Sequence, residues 1–327
     1  MRTRNLIENY AKKLGFDLVG FSPAEILPKY KKAYKAWLKN HYDGKMSYMR
    51  EREKIEKRFD LQKILPGAAS VIVLAMNYFR PQKPLKKGCG RIARYAFGRD
   101  YHKIIGSKLR ELEKFIQTLG GKTKSCVDAG PVLERALAEQ AGLGVVGKNS
   151  CLITDKFGSW VFLAEIITDL DLAEKDAQDP NNPQNPSKKS NFSSCGQCQR
   201  CFQACPTGAI VSPGVIDARK CISYLTIENK EKISQKFAEK IAKTRRIFGC
   251  DICQEVCPHN ISRQCSADCA DLSTPKIAGD QISLRKILSI KTDAEFLKIF
   301  AGSPLMRAKR KGLQRNASIT CRYIVNL

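Results

Sequence analysis

The sequence predicts a mixed α+β and α/β fold, with an N-terminal α/β domain built on a mixed sheet, then a small cysteine-rich domain and a short helical basic tail. Three observations lead to this prediction. Apolar strands alternate with amphipathic helices as far as residue 170, eight cysteines lie between residues 195 and 257, and residues 301–327 contain no acidic residue. We place the domains at residues 1–170, 195–265 and 266–327, and a polar linker at 171–194.

Length and composition describe an ordinary globular chain. With 327 residues, 43% of them hydrophobic, the chain can bury a large core in two domains. Its longest apolar run, residues 68–76, is about half of the roughly 20 residues that a membrane span needs. The N-terminus lacks the apolar region of an export signal. We therefore expect a cytoplasmic protein that does not bind a membrane.

Charge indicates a macromolecular partner, and cysteine content indicates a metal or cluster. The net charge is +25, and a field of that sign attracts polyanions, of which nucleic acid is the first candidate. The alternative is a generally basic proteome. Fourteen cysteines in a reducing cytoplasm are poor candidates for disulfides, so metal or cluster ligation is the better interpretation.

The first part of the N-terminal domain follows simple periodicity. Apolar spacing predicts helices over 2–14 and 25–40 and strands over 16–21 and 70–76. The charged segment 45–58 ends at Arg58, which this pattern treats as a solvated helix-end residue.

A basic loop at 81–102 carries aromatic and cationic side chains and is either a binding loop or lid, or merely a solvated loop. A helix over 103–119, a strand over 123–127 and a helix from Pro131 follow. Asp128 therefore lies at the carboxyl end of a strand, beside a helix N-terminus. Ligands bind at such places in open α/β sheets, although an ordinary turn aspartate has the same pattern.

Two further segments allow a functional and a structural interpretation. Residues 142–150 contain three glycines followed by Lys148 and Asn149, which is typical of a phosphate or cofactor loop or of a tight turn, and is not a standard nucleotide motif. A long apolar strand is predicted over 160–168. The tail, 301–327, is either a helix that binds phosphates or a helix docked on the core.

Two cysteine runs carry the clearest chemistry. Residues 195–206 have the C-x2-C-x2-C-x3-C-P spacing of bacterial ferredoxins with two [4Fe–4S] clusters, and residues 250–258 have the shorter spacing C-x2-C-x3-C-P. Such a cluster needs four thiolates, so the second run lacks one, and Cys221 is the natural candidate. Zinc is the rival for any C-x2-C pair, but two runs that end in Cys-Pro disfavour it.

In two-cluster ferredoxins the cysteine before proline ligates the other cluster. That rule predicts one cluster on Cys195, Cys198, Cys201 and Cys257, and the other on Cys205, Cys221, Cys250 and Cys253. The other cysteines are interpreted as packing thiols, namely Cys89, Cys126, Cys151, Cys265, Cys269 and Cys321. Two clusters make an electron relay, and the long stretch before them indicates a catalytic domain.

Seven stretches also carry a family resemblance: Arg94-Tyr-Ala-Phe-Gly-Arg-Asp-Tyr-His102, Val127-Asp-Ala-Gly-Pro-Val-Leu-Glu-Arg135, Ala141-Gly-Leu-Gly-Val-Val-Gly-Lys-Asn149, Cys205-Pro-Thr-Gly-Ala-Ile210, Asp217-Ala-Arg-Lys-Cys-Ile-Ser-Tyr-Leu-Thr-Ile-Glu228, Phe248-Gly-Cys-Asp-Ile-Cys-Gln254, and Pro304-Leu-Met-Arg with Leu313-Gln-Arg-Asn316. They occur in order along the chain, from residue 94 to residue 316. With them the chain resembles the epoxyqueuosine reductases, which are cobalamin-dependent iron–sulfur enzymes of the last step of tRNA queuosine synthesis.

The resemblance implies the chemistry. The N-terminal domain would hold cobalamin, two clusters would reduce its cobalt with electrons from an unidentified donor, and the epoxide oxygen of epoxyqueuosine in tRNA would leave as water. Asp128 matches the family's proton donor. Because that oxygen must be protonated as it leaves, we expect burial to raise the pKa of Asp128 and keep its carboxyl neutral near pH 7.

The resemblance also implies cobalamin contacts, at Arg58, Asp128, Lys148, Asn149, Leu152, Ser223 and Asp251. For tRNA, the basic tail and the cations of 83–99 are candidates for phosphate contacts, and Tyr95 and Tyr101 for stacking on an extruded base. We expect the protein to be a monomer.

Two other interpretations remain. Corrinoid reductive dehalogenases pair a similar core with two clusters, but they are typically exported, and a charge of +25 has no role with a small halogenated substrate. A non-enzymatic electron carrier that docks on a partner is the second, and it leaves the N-terminal domain without a role.

Overall fold

The computed structural model describes residues 3–173, 195–261 and 279–324. The chain divides into two compact units. The first consists of residues 1–40, 47–77 and 102–198, and the second consists of residues 41–46, 78–101 and 199–327. This division differs from the linear domains that the sequence predicts, because 41–46 and 78–101 belong to the second unit. Most of the predicted linker, the start of the predicted tail, Cys265 and Cys269 lie outside the described residues.

The described chain contains both helices and strands throughout its length. The helices are α1 (Thr3–Lys13), α2 (Pro28–Lys39), α3 (Arg52–Phe59), α4 (Tyr101–Thr118), α5 (Glu134–Gln140), α6 (Arg200–Ala204), α7 (Ile222–Ile227), α8 (Gln235–Thr244), α9 (Ile252–Glu255), α10 (Pro258–Ile261), α11 (Leu284–Leu288), α12 (Asp293–Phe300) and α13 (Lys309–Ile324). The strands are β1 (Leu18–Pro23), β2 (Ser70–Asn77), β3 (Cys89–Ile92), β4 (Thr123–Cys126), β5 (Val145–Val146), β6 (Leu152–Ile153), β7 (Val161–Thr168), β8 (Ile210–Ser212), β9 (Val215–Ile216), β10 (Arg246–Phe248) and β11 (Gln281–Ser283).

The first unit is built on a four-stranded sheet with the order β1-β2-β7-β4. Its two long strands, β2 and β7, pair antiparallel over eight residues each, and every residue of β2 is buried. All three pairings in this sheet are antiparallel, so the parallel pairing of the expected mixed sheet lies elsewhere, at β3 within residues 1–170. Apolar periodicity predicts strands but carries no information about their direction, which explains the difference.

A mixed sheet does occur in the second unit. There β3 pairs parallel with β10 and antiparallel with β11. The sequence predicts a loop over residues 81–102, and β3 is too short and too polar to stand out in it. Its backbone forms a strand because two distant parts of the chain supply acceptors. The N–H of Arg91 donates to the carbonyl oxygen of Arg245 at 2.7 Å, and the N–H of Ile92 donates to that of Asp280 at 3.0 Å.

One face of the first sheet is covered by α5. Apolar side chains from β2, β7 and β4 pack there with Leu137, Ala138 and Ala141 of that helix. Gly20 of β1 allows the close approach, since a Cβ at this position would lie 2.7 Å from the carbonyl oxygen of Ala141. Helix α5 begins at Glu134, three residues later than the Pro131 start that the sequence predicts, because the intervening residues form a turn.

The core of the second unit gathers around the C-terminal helix. Residues Leu305, Leu313 and Ala317 are fully buried and pack with β10, α11 and α12. Asn316 is also fully buried, and its side-chain amide donates to the carbonyl oxygens of Thr226 at 2.8 Å and Ile247 at 2.9 Å. The tail is therefore a helix docked on a core. Within the described ranges, no helix has both the length and the apolar character to cross a membrane.

Replacing Asn316 by alanine should destabilise the second unit. The change leaves two buried carbonyl oxygens without a donor, and we expect the free energy of unfolding to fall by about 1–3 kcal/mol. Denaturant unfolding of the cluster-loaded protein measures it. The control is Asn40→Ala, which removes an exposed amide bonded to Ala36 and should cost less than about 0.5 kcal/mol. Equal losses in both variants would contradict the assigned role of Asn316.

Candidate functional site

Four cysteines of the second unit line a single cavity. Cys205 follows α6, Cys221 precedes α7, Cys250 follows β10, and Cys253 lies in α9. Apolar side chains, including those of Ile210 and Ile216, complete the wall. These four are the ligand set predicted by assigning each Cys-Pro thiolate to the opposite cluster, so the structure brings that whole set together. A wall of thiols and apolar groups fits an iron–sulfur cluster.

Burial and local hydrogen bonds shift the pKa values of these thiols in different directions. Burial acts to raise the pKa of Cys205, but the N–H groups of Ala209, Thr207 and Ile210 and the Thr207 hydroxyl outweigh it and lower that pKa. Burial raises the pKa of Cys221, and it raises that of Cys250 to about 12. Because iron is bound by thiolates, loading this cavity must release protons.

The other predicted ligand set is divided between the units, and it stays a prediction. Its first two members, Cys195 and Cys198, lie in the first unit beside the glycine loop. The main-chain N–H of Lys148 donates to Sγ of Cys195 at 3.4 Å. The Lys148 Nζ donates to the carbonyl oxygens of Gly196 at 2.6 Å and Cys198 at 3.0 Å. Lys148 therefore contacts the predicted cluster loop directly.

The glycine loop, residues 142–150, contains β5 and most of the tight turn that leads from β5 to β6. A Cβ at Gly144 would lie 2.2 Å from the carbonyl oxygen of Ile153, so only glycine fits there. Asn149 is buried, and its Oδ1 accepts the N–H of Cys151 at 3.3 Å, which stabilises the turn. Leu152 is buried in the core under α5. The cobalamin contacts at Asn149 and Leu152 stay predictions.

Asp128 sits in a strained turn directly after β4. Its φ of +54° lies in the left-handed region that glycine favours. Its N–H donates to Oε1 of Glu134 at 2.6 Å, and its Oδ2 lies 3.2 Å from Nε2 of His102. The carboxyl group is 57% exposed. The expectation that burial protects Asp128 is therefore wrong for the protein alone, since the turn projects the side chain outward.

The acids with raised pKa values are instead two neighbouring glutamates, the half-buried Glu134 and the buried Glu165. Burial and the nearby Asp128 charge raise the pKa of Glu134 to about 7. Glu165, on β7, is fully buried, and neither of its carboxyl oxygens has a hydrogen-bond partner among the described residues. Burial, then the charges of Glu134 and Asp128, raise its pKa well above the usual range. Sequence reasoning missed both, although an acid inside the apolar run 160–168 was a usable signal.

Arg58 is buried, contrary to the solvated position that the charged segment suggests. Its guanidinium lies over the ring of Tyr34 and donates to Sδ of Met49 at 3.7 Å. Its Nη1 has no hydrogen-bond partner within the described residues. A buried cation with a spare donor needs an acceptor, and the phosphate and amide groups of cobalamin are acceptors, so Arg58 fits the predicted contact.

The two predicted cobalamin contacts in the second unit have different surroundings. Ser223 is half-buried in the first turn of α7. Asp251 is buried, and its Oδ2 accepts the main-chain N–H of Arg94 at 2.8 Å. The guanidinium of Arg94 lies 2.7 Å from Glu255 and 3.4 Å from Asp251. Asp251 thus holds the 81–102 segment, and its cofactor contact stays a prediction.

Several predicted tRNA contacts are used inside the fold. Arg91 pairs with Asp280, and Tyr101 is buried and packs edge-on against Tyr95. In the tail, Arg307 pairs with Glu228 and Arg310 with Asp293. Arg315 donates to the carbonyl oxygens of Leu225, Asn229 and Glu231. The exposed cations of α13 itself are Lys309, Lys311 and Arg322.

Comparison with known proteins gives one consistent result. A family model for a 4Fe-4S double cluster binding domain matches residues 194–260, and one for "Epoxyqueuosine reductase QueG, DUF1730" matches residues 58–129. The epoxyqueuosine reductase of Gloeobacter violaceus is 42% identical over 95% of this chain and 93% of its own length.

Solved structures agree with the sequence relatives. A crystal structure of epoxyqueuosine reductase with an epoxyqueuosine-modified tRNA-Tyr stem loop superimposes with a TM-score of 0.84 at 32% identity. A Bacillus subtilis epoxyqueuosine reductase, described with its aspartate-bearing catalytic loop swung out of the active site, gives the same values. Each alignment covers 98% of this chain and 81% of the other chain.

Replacing Cys221 by serine should remove one of two clusters. With two [4Fe–4S] clusters bound, each chain holds about eight iron atoms. Loss of one ligand from the cavity of Cys205, Cys221, Cys250 and Cys253 should lower this number to about four. Iron analysis and the visible absorbance of the anaerobically reconstituted protein measure this. Cys321→Ser, which changes a thiol packed against the α13 core, should keep full iron. Full iron in Cys221→Ser would exclude Cys221 as a ligand.

Replacing Glu165 by glutamine should change how stability depends on pH. Burial favours the neutral carboxyl in the folded protein, whereas the same group ionises in the unfolded chain above about pH 4.3. Folding therefore takes up a proton, and the wild-type protein loses stability as pH rises toward the raised folded pKa. The variant lacks this loss, so its stability relative to wild type should increase between pH 6 and pH 8, by at most about 1.4 kcal/mol per pH unit.

Thermal unfolding midpoints at several pH values test this prediction. The matched control is Glu113→Gln, which replaces a half-buried glutamate on α4 of the same unit and should show no such trend. A pH-independent difference between Glu165→Gln and wild type would mean that Glu165 is ionised in the folded protein.

Proposed function

Because this chain belongs to the epoxyqueuosine reductase family, we propose that it removes the epoxide oxygen of epoxyqueuosine at the wobble position of tRNA. The observation that carries the proposal is identity of 42% over almost the whole of both chains. The reaction consumes two electrons and two protons, breaks both C–O bonds of the epoxide, and yields queuosine and water. Cobalamin, reduced by way of the two [4Fe–4S] clusters, supplies the electrons to the substrate when it is bound.

Asp128 is the proposed proton donor. The turn after β4 presents its carboxyl to solvent, where a large substrate can reach it. His102 lies 3.2 Å away and can hold a proton on Nε2 that restores the acid form of Asp128. Burial of Asp128 would then come from the bound tRNA and cofactor rather than from the chain itself. The aspartate-bearing catalytic loop of the Bacillus subtilis relative supports this role for the turn.

Residues of both units are proposed to hold the cofactors. In the first unit Arg58 supplies a buried cation, and Lys148 has one amine donor left after its two carbonyl contacts. With Asp128, Asn149 and Leu152 there and Ser223 and Asp251 in the second unit, these are the proposed cobalamin contacts. One cluster is assigned to the cavity of Cys205, Cys221, Cys250 and Cys253. The other is assigned to Cys195, Cys198, Cys201 and Cys257.

The tRNA is recognised in this proposal mainly through its phosphates. A net charge of +25 supplies the attraction. The exposed cations Lys309, Lys311 and Arg322 on α13 are the proposed tail contacts. We further propose that the chain acts as a monomer in the cytoplasm and receives its electrons from a separate donor protein.

The test is turnover on tRNA that carries epoxyqueuosine, after anaerobic reconstitution with iron, sulfide and cobalamin. Wild-type protein should form queuosine, and salt should weaken tRNA binding steeply. Asp128→Asn should reduce turnover by about 100-fold or more, because general acid catalysis contributes that much. Cobalamin absorbance and tRNA binding should remain.

The control is Asp171→Asn, which changes an exposed carboxylate of the same unit and should keep full activity. Full turnover by Asp128→Asn would exclude Asp128 as the proton donor. Absence of queuosine with fully loaded wild-type protein and an artificial reductant would contradict the proposed substrate.

A further inference from the structure

Lys148 makes contacts that its proposed cobalamin role does not explain. Its Nζ donates to two carbonyl oxygens of the Cys195–Cys198 loop, at 2.6 and 3.0 Å. Its main-chain N–H donates to Sγ of Cys195. The lysine is half-buried rather than solvated, so water screens its charge less than that of a surface lysine. A fixed cation and an N–H···S hydrogen bond therefore converge on one pair of predicted cluster ligands.

We propose that Lys148 raises the reduction potential of the cluster bound through Cys195 and Cys198. Adding an electron to a cluster makes its net charge more negative, and a nearby cation stabilises that reduced form. Net charge and hydrogen bonds to the sulfurs are two of the factors that set cluster potentials. This inference needs only the two clusters of the family, and not the tRNA reaction.

The surroundings of the cavity formed by Cys205, Cys221, Cys250 and Cys253 indicate that Lys148 changes the potential of the other cluster only. The residues that line this cavity, apart from the cysteines, are proline, threonine, alanine and isoleucine, so no lysine or arginine in the described lining touches it, and the charge of Arg246 reaches Cys250 only from outside that lining. The two clusters thus differ because a lysine, Lys148, contacts the Cys195–Cys198 ligand loop of one cluster, and no lysine or arginine among the described residues lines the cavity of the other. Removing the Lys148 charge should move one potential and leave the other as an internal reference.

Charge and hydrogen bonding can be separated by substitution. Lys148→Gln keeps a side-chain donor for the loop carbonyls but loses the charge, whereas Lys148→Arg keeps the charge. Neither change affects the main-chain N–H that faces Cys195. Lys156→Gln is the matched control, since Lys156 is an exposed lysine of the same unit that lies over the ring of Phe157.

The experiment is an anaerobic redox titration of the reconstituted full chain without tRNA, followed by electron paramagnetic resonance, with iron analysis of each variant. In Lys148→Gln, the equilibrium constant for reduction of one cluster should fall about tenfold, which is about 59 mV for a one-electron couple. The other couple should not move. Lys148→Arg and Lys156→Gln should both match the wild type.

Three results would overturn the proposal. The first is an unchanged pair of potentials in Lys148→Gln with full iron. The second is an equal shift of both couples, which would indicate a general effect of net charge. The third is loss of about half the iron from Lys148→Gln, which would make Lys148 a residue that fastens the loop. Failure of turnover on tRNA affects none of these readouts, so the two proposals can fail separately.

Discussion

A [4Fe–4S] cluster requires four thiolates at one place, and this requirement organises the second unit. The run at 250–258 supplies too few cysteines for a cluster, and the proposed additional ligand, Cys221, comes from another element. The structure places the start of α7, the end of β10 and the start of α9 around one cavity, which Cys205 also lines. Asn316 then ties the same elements to α13 through the carbonyls of Thr226 and Ile247.

In the first unit, the carboxyl group of Asp128 is exposed, whereas the neighbouring carboxyl groups of Glu134 and Glu165 are partly or fully buried. The antiparallel pairing of β2 and β7 brings Glu165 into the core below α5, where burial favours its neutral form. The turn after β4 then carries Asp128 outward with a left-handed backbone that Glu134 stabilises through a hydrogen bond. Three carboxyl groups therefore lie near one another in very different surroundings, and only Asp128 is open to a large substrate.

Positive charge serves two purposes in this chain. Arg307, Arg310 and Arg315 bind carboxylates or carbonyl oxygens within the second unit and hold the tail on its core. Lys309, Lys311 and Arg322 are instead exposed on helix α13. Composition alone cannot separate these groups, because an arginine that anchors a helix and one that contacts a phosphate contribute equally to the net charge.

The sequence by itself determined most helices and strands of the first unit and the two-cluster chemistry, because periodicity and cysteine spacing are local properties. The ligand set that includes Cys221 stays a prediction. The tertiary structure decided the antiparallel direction of the first sheet, the strand at Cys89–Ile92 and the membership of 41–46 and 78–101 in the second unit. It also revealed the buried state of Arg58, the exposure of Asp128 and the contacts of Lys148. Each of these depends on residues far apart in the chain, since burial and hydrogen bonding follow from packing that no local pattern records.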